Sequence, residues 1–280
     1  MHEYKSSIKP IEITRSRRKE ANKRCTSAER TLFLQLTGKL IFLQHGSLPQ
    51  ASFVTSNFQQ LVGNLRVKHL TDLNAAYKQI SKLSTTIFLK SPKESVDSRQ
   101  CTIQLFADAS SGKHTYGQTG FVSGFLLPTG GVEEASKLFH PIAWHSSKQS
   151  RVSFSSVGAE ILAAAYACDV SLYIRDCLIT ILHNSNAFPV NLITDFYGLY
   201  STITTLHEGR DYRLRPTVAR IRDSFESHEL TSIRWIPGKL NISDALTKLN
   251  YHMIRTLNNI MIDGELPKDI LSYANYLIHE

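Results

Sequence analysis

Cysteine and long apolar runs are both scarce in this chain of 280 residues. Its four cysteines form no C-x-x-C pair, and Cys168 lies in an alanine-rich apolar run, where a reduced, buried thiol is expected. No stretch approaches about 18 uninterrupted apolar residues, and the charged N-terminus has no apolar signal core. We therefore expect an intracellular protein, cytoplasmic or nuclear, with no membrane partner.

Acidic residues are also in deficit, with a formal net charge of +8 and a pI near 9.3. Such an excess of positive charge favours polyanionic partners. Eight basic and three acidic side chains in residues 1–24 leave +5 there, so only +3 is spread over the remaining chain. A solvated, disordered leader over residues 1–26 is the favoured interpretation, and a nucleic-acid-binding arm is the alternative.

Apolar periodicity divides the rest of the chain near residue 100. Residues 27–88 show a helical pattern, with Ser27 and Thr71 as expected N-caps and Pro49 in the first turn of the middle helix. Residues 89–100, LKSPKESVDSRQ, are polar and interrupted by proline, which predicts a linker.

After the linker the pattern changes to strands. CTIQLFAD, YGQTGFVSGFLLP and KLFHPIAWHS predict three antiparallel strands, and the helix SSVGAEILAAAYACDVSLYIRDCL then leads to the strand VNLITD by a parallel crossover. The helices FYGLYSTITTL and RPTVARIRDSFES, the strand TSIRWIP and the helix ISDALTKLNYHMIRTLNN follow. We predict an α/β domain over residues 101–250, with a mixed sheet covered by helices, and a C-terminal helical extension over residues 251–280.

Four carboxylates stand in or at the end of apolar segments: Asp108 after TIQLFA, Glu160 in SSVGAEILAAAYA, Asp195 after NLIT and Asp244 in WIPGKLNISDALTK. An unpaired carboxylate is costly in such surroundings, and a shared divalent cation would offset that cost. Glu160 is expected to point inward, because its neighbours three, four and seven residues on are all alanines. The four acids together indicate one metal site.

Three of these acids have a structural alternative. Asp108 could cap a turn in DASSG, Asp195 could be the N-cap of the following helix, and Asp244 could complement a helix dipole. Spacing alone is weak evidence, since the chain has 24 acidic residues.

The segments around the acids carry a resemblance. TIQLFADAS, IAWHSSKQSRVSFSSVGAEILAAAYA, NLITD and IRWIPGKLNISDALTK, in this order, are similar to the ribonuclease H domain of Ty1/copia-type retrotransposon polyproteins. The most specific parts are W-x-S-x-K-Q-x-x-V-x-x-S-S-x-x-A-E, from Trp144 to Glu160, and the ending D-A-L-T-K. The resemblance covers residues 100–250, and residues 27–88 resemble more loosely the thumb and connection of the same elements' reverse transcriptase.

The resemblance implies an RNase H-like fold, a five-stranded mixed sheet flanked by helices. It implies an endoribonuclease that hydrolyses the RNA strand of RNA·DNA hybrids in retrotransposon reverse transcription, alongside the polymerase part and in a cytoplasmic virus-like particle. Asp108, Glu160, Asp195 and Asp244 would be catalytic and would ligate two Mg²⁺ ions, for which Mn²⁺ could substitute. Mg²⁺ prefers oxygen ligands, and in two-metal sites one ion activates the attacking water while the other stabilises the leaving oxygen.

Polar side chains beside the acids are candidate contacts to the substrate backbone: Ser110 and Ser111 after Asp108, and Lys148, Gln149, Ser155 and Ser156 before Glu160. Hybrids are selected by shape and 2′-hydroxyl contacts rather than by base edges. The neutral residues are also common in loops and caps. Arg151, Lys239 and Lys248 are further candidate phosphate contacts, with a solvated surface as the alternative.

Three features depart from the family pattern. Phe196 and Tyr197 follow Asp195, where a small or polar residue is commoner, and Ser243 stands where alanine often precedes the final aspartate. The histidine that assists product release in many RNase H enzymes has no clear counterpart, and His207 and Arg213 are the candidates for its task. None of these departures removes a metal ligand.

Other motifs are absent from the sequence. No two aspartates are adjacent, as the polymerase site of a reverse transcriptase requires, and neither an integrase His-Cys zinc pattern nor an aspartic-protease D-[ST]-G triplet occurs. We expect a C-terminal piece of a polyprotein, or an independent descendant of one, that does not polymerise. A catalytically silent nucleic-acid-binding or assembly module is the alternative, and another nuclease of the same superfold, such as a transposase, is a weaker one.

Overall fold

The chain divides into two compact units in the computed structural model, Met1–Ile87 and Phe88–Glu280. The structure describes residues 2–87, 89, 101–110, 116–127, 138–153, 155–183, 188–205 and 212–274. Most of the expected linker, together with Ser111 and His207, therefore lies outside the described residues.

The first unit is helical. It contains α1 (His2–Ser7), α2 (Arg15–Lys19), α3 (Ser27–Gly46), α4 (Ser52–Gln60) and α5 (Val67–Ile80). The helix α3 begins after Thr26, whose hydroxyl accepts the Glu29 N–H while the Glu29 carboxylate accepts the Thr26 N–H. The N-cap is thus Thr26, one residue before the expected Ser27. Thr71 lies inside α5, which begins after Arg66, and Pro49 opens a 3₁₀ turn that leads into α4.

The expectation of a disordered leader is corrected by the structure. Ile8 and Ile11 are buried in the core of the helical unit, and the Asn74 side chain bonds both the N–H and the carbonyl of Ile11 at 2.8 Å. Arg17 in α2 forms an ion pair with Glu29 at 2.7 Å. The two isoleucines bury apolar surface in this core, which the many basic residues of the leader made hard to recognise in the sequence. The leader therefore folds as part of the helical unit.

The second unit is built on a five-stranded sheet. Its strands are β1 (Thr102–Ser110), β2 (Gln118–Leu127), β3 (Leu138–Lys148), β4 (Val190–Thr194) and β5 (Leu230–Trp235), in the order β3-β2-β1-β4-β5. The first three strands pair antiparallel, β4 is parallel to β1, and β5 is parallel to β4. The expected RNase H-like fold, a five-stranded mixed sheet flanked by helices, is confirmed.

Helices cover this sheet. They are α6 (Ser156–Leu182), α7 (Tyr197–Thr204), α8 (Arg215–Glu226), α9 (Tyr251–Asp263) and α10 (Lys268–Ala274). The inward residues of β1, Ile103, Leu105 and Ala107, share a core with the small residues of α6. By length and composition alone α6 could cross a membrane, but 56% of its most apolar window is buried, as in the core helix of a folded domain.

Two expected elements differ from the structure. Asp108 does not end its strand, because β1 continues to Ser110 and Asp108 pairs with Gly120 of β2, which excludes the turn-cap alternative. The helix predicted from Ile242 onward is split into a 3₁₀ turn (Ile242–Leu246) and α9. The break occurs because the Asn250 side chain caps α9 by accepting the Met253 N–H.

The expected C-terminal extension belongs to the second unit. Met253, Leu257 and Met261 of α9 are buried, and the helix packs on the Ile242–Leu246 turn and on β3. Residues after 250 therefore help to hold the turn that carries Asp244.

Candidate active site

Two of the four acids meet at the centre of the sheet. Asp108 lies near the carboxyl end of β1 and is only 2% exposed. The parallel register pairs Ala107 with Thr194 of β4, so Asp195, which follows β4, is placed beside Asp108. The carboxyl ends of parallel strands are where α/β sheets hold their ligands.

Asp244 approaches the same place from the Ile242–Leu246 turn and is 5% exposed. That turn packs on β1 and β2. It fits because residue 120, opposite Asp108, is glycine: a Cβ there would lie 2.6 Å from Thr247 Cγ2 and 3.0 Å from Leu246 Cβ. Gly120 thus brings the turn within reach of Asp108.

Glu160 reaches the site from α6 and is 7% exposed. The small residues Ala109, Ala159 and Ala163 cluster between β1 and α6, which lets the helix approach closely. The Glu160 carboxylate accepts the backbone N–H of Ala109, the residue after Asp108. The expected inward direction of Glu160 agrees with this contact.

Each carboxylate is held by donors from the protein. The Thr247 hydroxyl donates to Asp108 Oδ2, Asn241 Nδ2 to Asp195 Oδ1 at 3.0 Å, and Asn250 Nδ2 to Asp244 Oδ2 at 2.7 Å, while Lys248 forms an ion pair with Asp244 Oδ1. Asn241 also donates to the Ala107 carbonyl at 3.0 Å and so ties the turn to β1. Sequence reasoning missed Thr247, Asn241 and Asn250 in these roles. The D-A-L-T-K ending was a signal for Thr247 alone.

Burial, together with the charges of neighbouring acids, raises the pKa of Asp108, Glu160 and Asp195. Burial raises the pKa of Glu160 to about 9, and the charges of Asp108 and Asp195 add to this effect. Burial likewise raises the pKa of Asp108 to about 6, with Asp195 and Asp244 contributing, although the Thr247 hydrogen bond opposes the rise. Burial also raises the pKa of Asp195. The carboxylates therefore lie close enough to repel one another when ionised.

The donor set fits a hard divalent cation, because it consists of carboxylate oxygens, the ligands that such cations prefer in proteins. Within the described part of the chain, no three His, Cys, Asp or Glu side chains converge closely enough to share one ion as they stand. The protein donors occupy the carboxylate oxygens instead. A cation at these carboxylates would compete with those partners.

The candidate substrate contacts are dispersed around this cluster. Ser110 ends β1, while Ser155 is the N-cap of α6 and accepts the Gly158 N–H at 3.1 Å. Ser156 is exposed in the first turn of α6. Lys148 is exposed at the end of β3, with its ammonium 4.0 Å from the centre of the Tyr116 ring. Lys148 and Ser156 are therefore accessible to a bound strand.

Gln149 is buried, whereas a substrate contact is expected to be accessible. It is 6% exposed, and its Nε2 donates to the Ala159 carbonyl at 2.8 Å and to Thr119 Oγ1 at 3.2 Å. Both amide hydrogens are therefore used inside the protein. Gln149 braces the start of α6, and hence Glu160, against β2, so the substrate-binding prediction for this residue is corrected.

We expect Gln149→Leu to destabilise the protein by about 1–3 kcal/mol, because it removes two buried hydrogen bonds and leaves Thr119 unsatisfied. Urea denaturation would measure the loss, and faster hydrogen exchange of the Glu160 amide would locate it. The exposed Ser156→Ala is the control, with a change within about 0.5 kcal/mol. Equal stability of the two variants would contradict the bracing role.

The structure shows the surroundings of three residues that depart from the family pattern or could replace its histidine, Phe196, Ser243 and Arg213. Phe196 packs at the edge of the core before α7, and Trp235 Nε1 donates to the Asp195 carbonyl at 2.9 Å. Ser243 is fully buried and donates to Asn241 Oδ1 at 2.5 Å, so it supports the residue that holds Asp195. Arg213 lies in a 3₁₀ turn with its guanidinium 5.8 Å from the centre of the Tyr212 ring.

No protein-family model matches the sequence, and no curated protein matches it. Solved structures are similar to part of the chain. RNase H1 of the archaeon Halobacterium salinarum NRC-1 is 18% identical, with 58% of this chain and 98% of that chain covered and a TM-score of 0.35. LC11-RNase H1, in complex with an RNA/DNA hybrid, is 16% identical, with coverage of 52% and 93% and a TM-score of 0.36.

A viral structure is also similar. The protease–reverse transcriptase of prototype foamy virus is 14% identical, with 69% of this chain and 23% of that chain covered and a TM-score of 0.31. This chain thus spans about a quarter of the viral protein.

Proposed function

We propose that this protein is a metal-dependent endoribonuclease that hydrolyses the RNA strand of RNA·DNA hybrids. The observation that carries the proposal is the grouping of Asp108, Glu160, Asp195 and Asp244 at the carboxyl ends of β1 and β4. The four acids come from separate segments that are far apart in the sequence. Among the residues that the structure describes, Lys248 is the one cation beside these four acids, so their burial remains costly, and a pair of bound cations would relieve that cost.

The cofactor that suits these ligands is Mg²⁺, two ions of it, with Mn²⁺ as a substitute. When bound, the ions would activate a water and stabilise the leaving 3′ oxygen. The residues of the chain would orient this chemistry: Asp108 at the centre of the site, Asp195 positioned by Asn241, and Glu160 positioned by the Ala109 N–H. Asp244 would complete the ligand set from a turn held by Thr247 and Asn250.

The substrate class follows from the surroundings of the site. Lys148 and Ser156 offer one cation and one hydroxyl to a backbone, and Ser110, Ser111 and Ser155 lie close to the acids in sequence. Such donors contact phosphates and 2′-hydroxyls rather than base edges, which favours recognition by helix shape. The net charge of +8 favours a polyanion as well.

The motif resemblance supports a finer proposal. We infer that the chain derives from a Ty1/copia-type retrotransposon polyprotein and acts beside the polymerase part of a reverse transcriptase. The helical first unit, similar in sequence to a thumb and connection, would supply that contact. Reverse transcription then places the protein inside the cell, in a cytoplasmic particle or in the nucleus.

A second candidate function is a silent module that binds nucleic acid. It is favoured by one observation, the occupation of carboxylate oxygens by Thr247, Asn241, Asn250 and Lys248. In that case the site would remain closed by its own hydrogen bonds.

We expect the full chain to cut the labelled RNA strand of a hybrid in Mg²⁺ or Mn²⁺ and to leave it intact in EDTA. Single-stranded RNA and duplex DNA of the same sequence are the matched substrates, and both should persist. Cleavage of duplex DNA instead would favour a transposase-like nuclease. Binding of the hybrid without cleavage in either metal would favour the silent module.

A further inference from the structure

The acid cluster contains a positive charge of its own. Lys248 forms an ion pair with Asp244 Oδ1. Burial raises the pKa of Asp108, Glu160 and Asp195, and the charge of the same ammonium opposes part of that rise. One side chain thus acts electrostatically on the whole cluster. Sequence reasoning treated Lys248 as a phosphate contact or as ordinary surface.

The local backbone explains why Lys248 points to the acids. It lies between the Ile242–Leu246 turn and α9, and its N–H bonds the Asp244 carbonyl at 3.3 Å. Asn250 occupies Asp244 Oδ2 at 2.7 Å, so the ammonium completes the coordination of that carboxylate. A metal ion at Asp244 would compete for both positions.

Lys248 also has room to leave. Its side chain is 52% exposed, whereas that of Asp244 is 7% exposed. The ammonium can therefore turn into solvent on its flexible stem while the carboxylate stays in place.

We propose that Lys248 is the resident counter-ion of the acid cluster, and that a divalent cation must displace its ammonium from Asp244 to bind. The inference rests on the metal site of the proposed function. It assigns the lysine two opposing effects. The ammonium stabilises the metal-free fold by offsetting carboxylate repulsion, and it weakens cation affinity because it must be displaced and repels the arriving charge.

Metal binding without substrate tests this inference. Mn²⁺ binding to the full chain would be followed by the electron paramagnetic resonance signal of free Mn²⁺, with melting temperatures recorded with and without Mn²⁺. Lys248→Met keeps the aliphatic stem and removes the charge. We expect its Mn²⁺ dissociation constant to fall about tenfold, as removal of a neighbouring like charge predicts. Its metal-free melting temperature should drop, and its Mn²⁺-induced rise should exceed that of the wild type.

Two control variants separate charge from other effects. Lys268→Met removes the same charge from an exposed position at the start of α10 and should bind Mn²⁺ within about twofold of the wild type. Lys248→Arg keeps the charge and should also stay near wild-type affinity, which keeps the inference testable if Lys248→Met folds poorly.

The outcomes are distinguishable. Wild-type binding of Mn²⁺ with equal or weaker binding by Lys248→Met would overturn the counter-ion role and leave the metal site standing. Tighter binding by Lys248→Arg, to the same extent as by the Met variant, would also overturn it, because the charge would then be irrelevant. No Mn²⁺ binding by any of the proteins would remove the metal site and the inference together.

Discussion

Asp108→Asn is expected to lower the rate of RNA-strand cleavage about a thousandfold or more, the scale of losing a central charged group in a preorganised site. Asp108 lies on the central strand of the sheet. The charges of Asp195 and Asp244 add to the rise in its pKa, and its own charge adds to the rise in the pKa of Glu160. The asparagine keeps the size and the Thr247 contact, so folding should persist. Cleavage of a labelled hybrid in Mg²⁺ would measure the loss.

The matched control is Asp176→Asn. Asp176 is an exposed aspartate of α6 that pairs with Arg175, so its variant should cleave at the wild-type rate. Hybrid binding by fluorescence anisotropy should be similar for the wild type and both variants. If Asp108→Asn cleaves as fast as the wild type, Asp108 has no catalytic role. If both proteins bind the hybrid and neither cuts it, the silent module is the better description.

The metal-free protein is expected to lose roughly 2–4 kcal/mol of unfolding free energy between about pH 5 and pH 9. The pKa of Glu160 is raised to about 9 and that of Asp108 to about 6 in the folded protein, first of all by burial. Both carboxyls therefore hold their protons more tightly when folded than when unfolded. Their contribution is fully present below the unfolded pKa and is lost as pH rises through the folded pKa.

Glu160→Gln should flatten this pH dependence. The glutamine cannot ionise, so the variant should be more stable than the wild type near pH 9 and similar to it near pH 5. Urea denaturation in EDTA at several pH values would show the difference, with Glu226→Gln at the end of α8 as the control. Unchanged pH dependence in Glu160→Gln would mean that Glu160 is already ionised in the folded protein.

Much of the second unit could be predicted from local pattern. The alternation in TIQLFA, the long alanine-rich helix and the order strand, helix, strand indicate a mixed sheet, because a parallel pair needs a crossover. The acids were recognisable because apolar neighbours make a charge conspicuous. The leader was wrongly predicted to be disordered because its basic residues outnumber Ile8 and Ile11. Only tertiary contacts bury those two isoleucines.

Periodicity and residue type are local properties, so they were sufficient to predict the sheet, the covering helix and four candidate carboxylates. The contacts of each carboxylate depend on tertiary packing instead. Thr247, Asn241, Asn250 and Lys248 reach the acids because the turn after β5 packs on Gly120, and Gln149 is a brace because α6 begins against β2. Such contacts join segments up to 139 residues apart, and no local pattern records which distant donor a buried charge will meet.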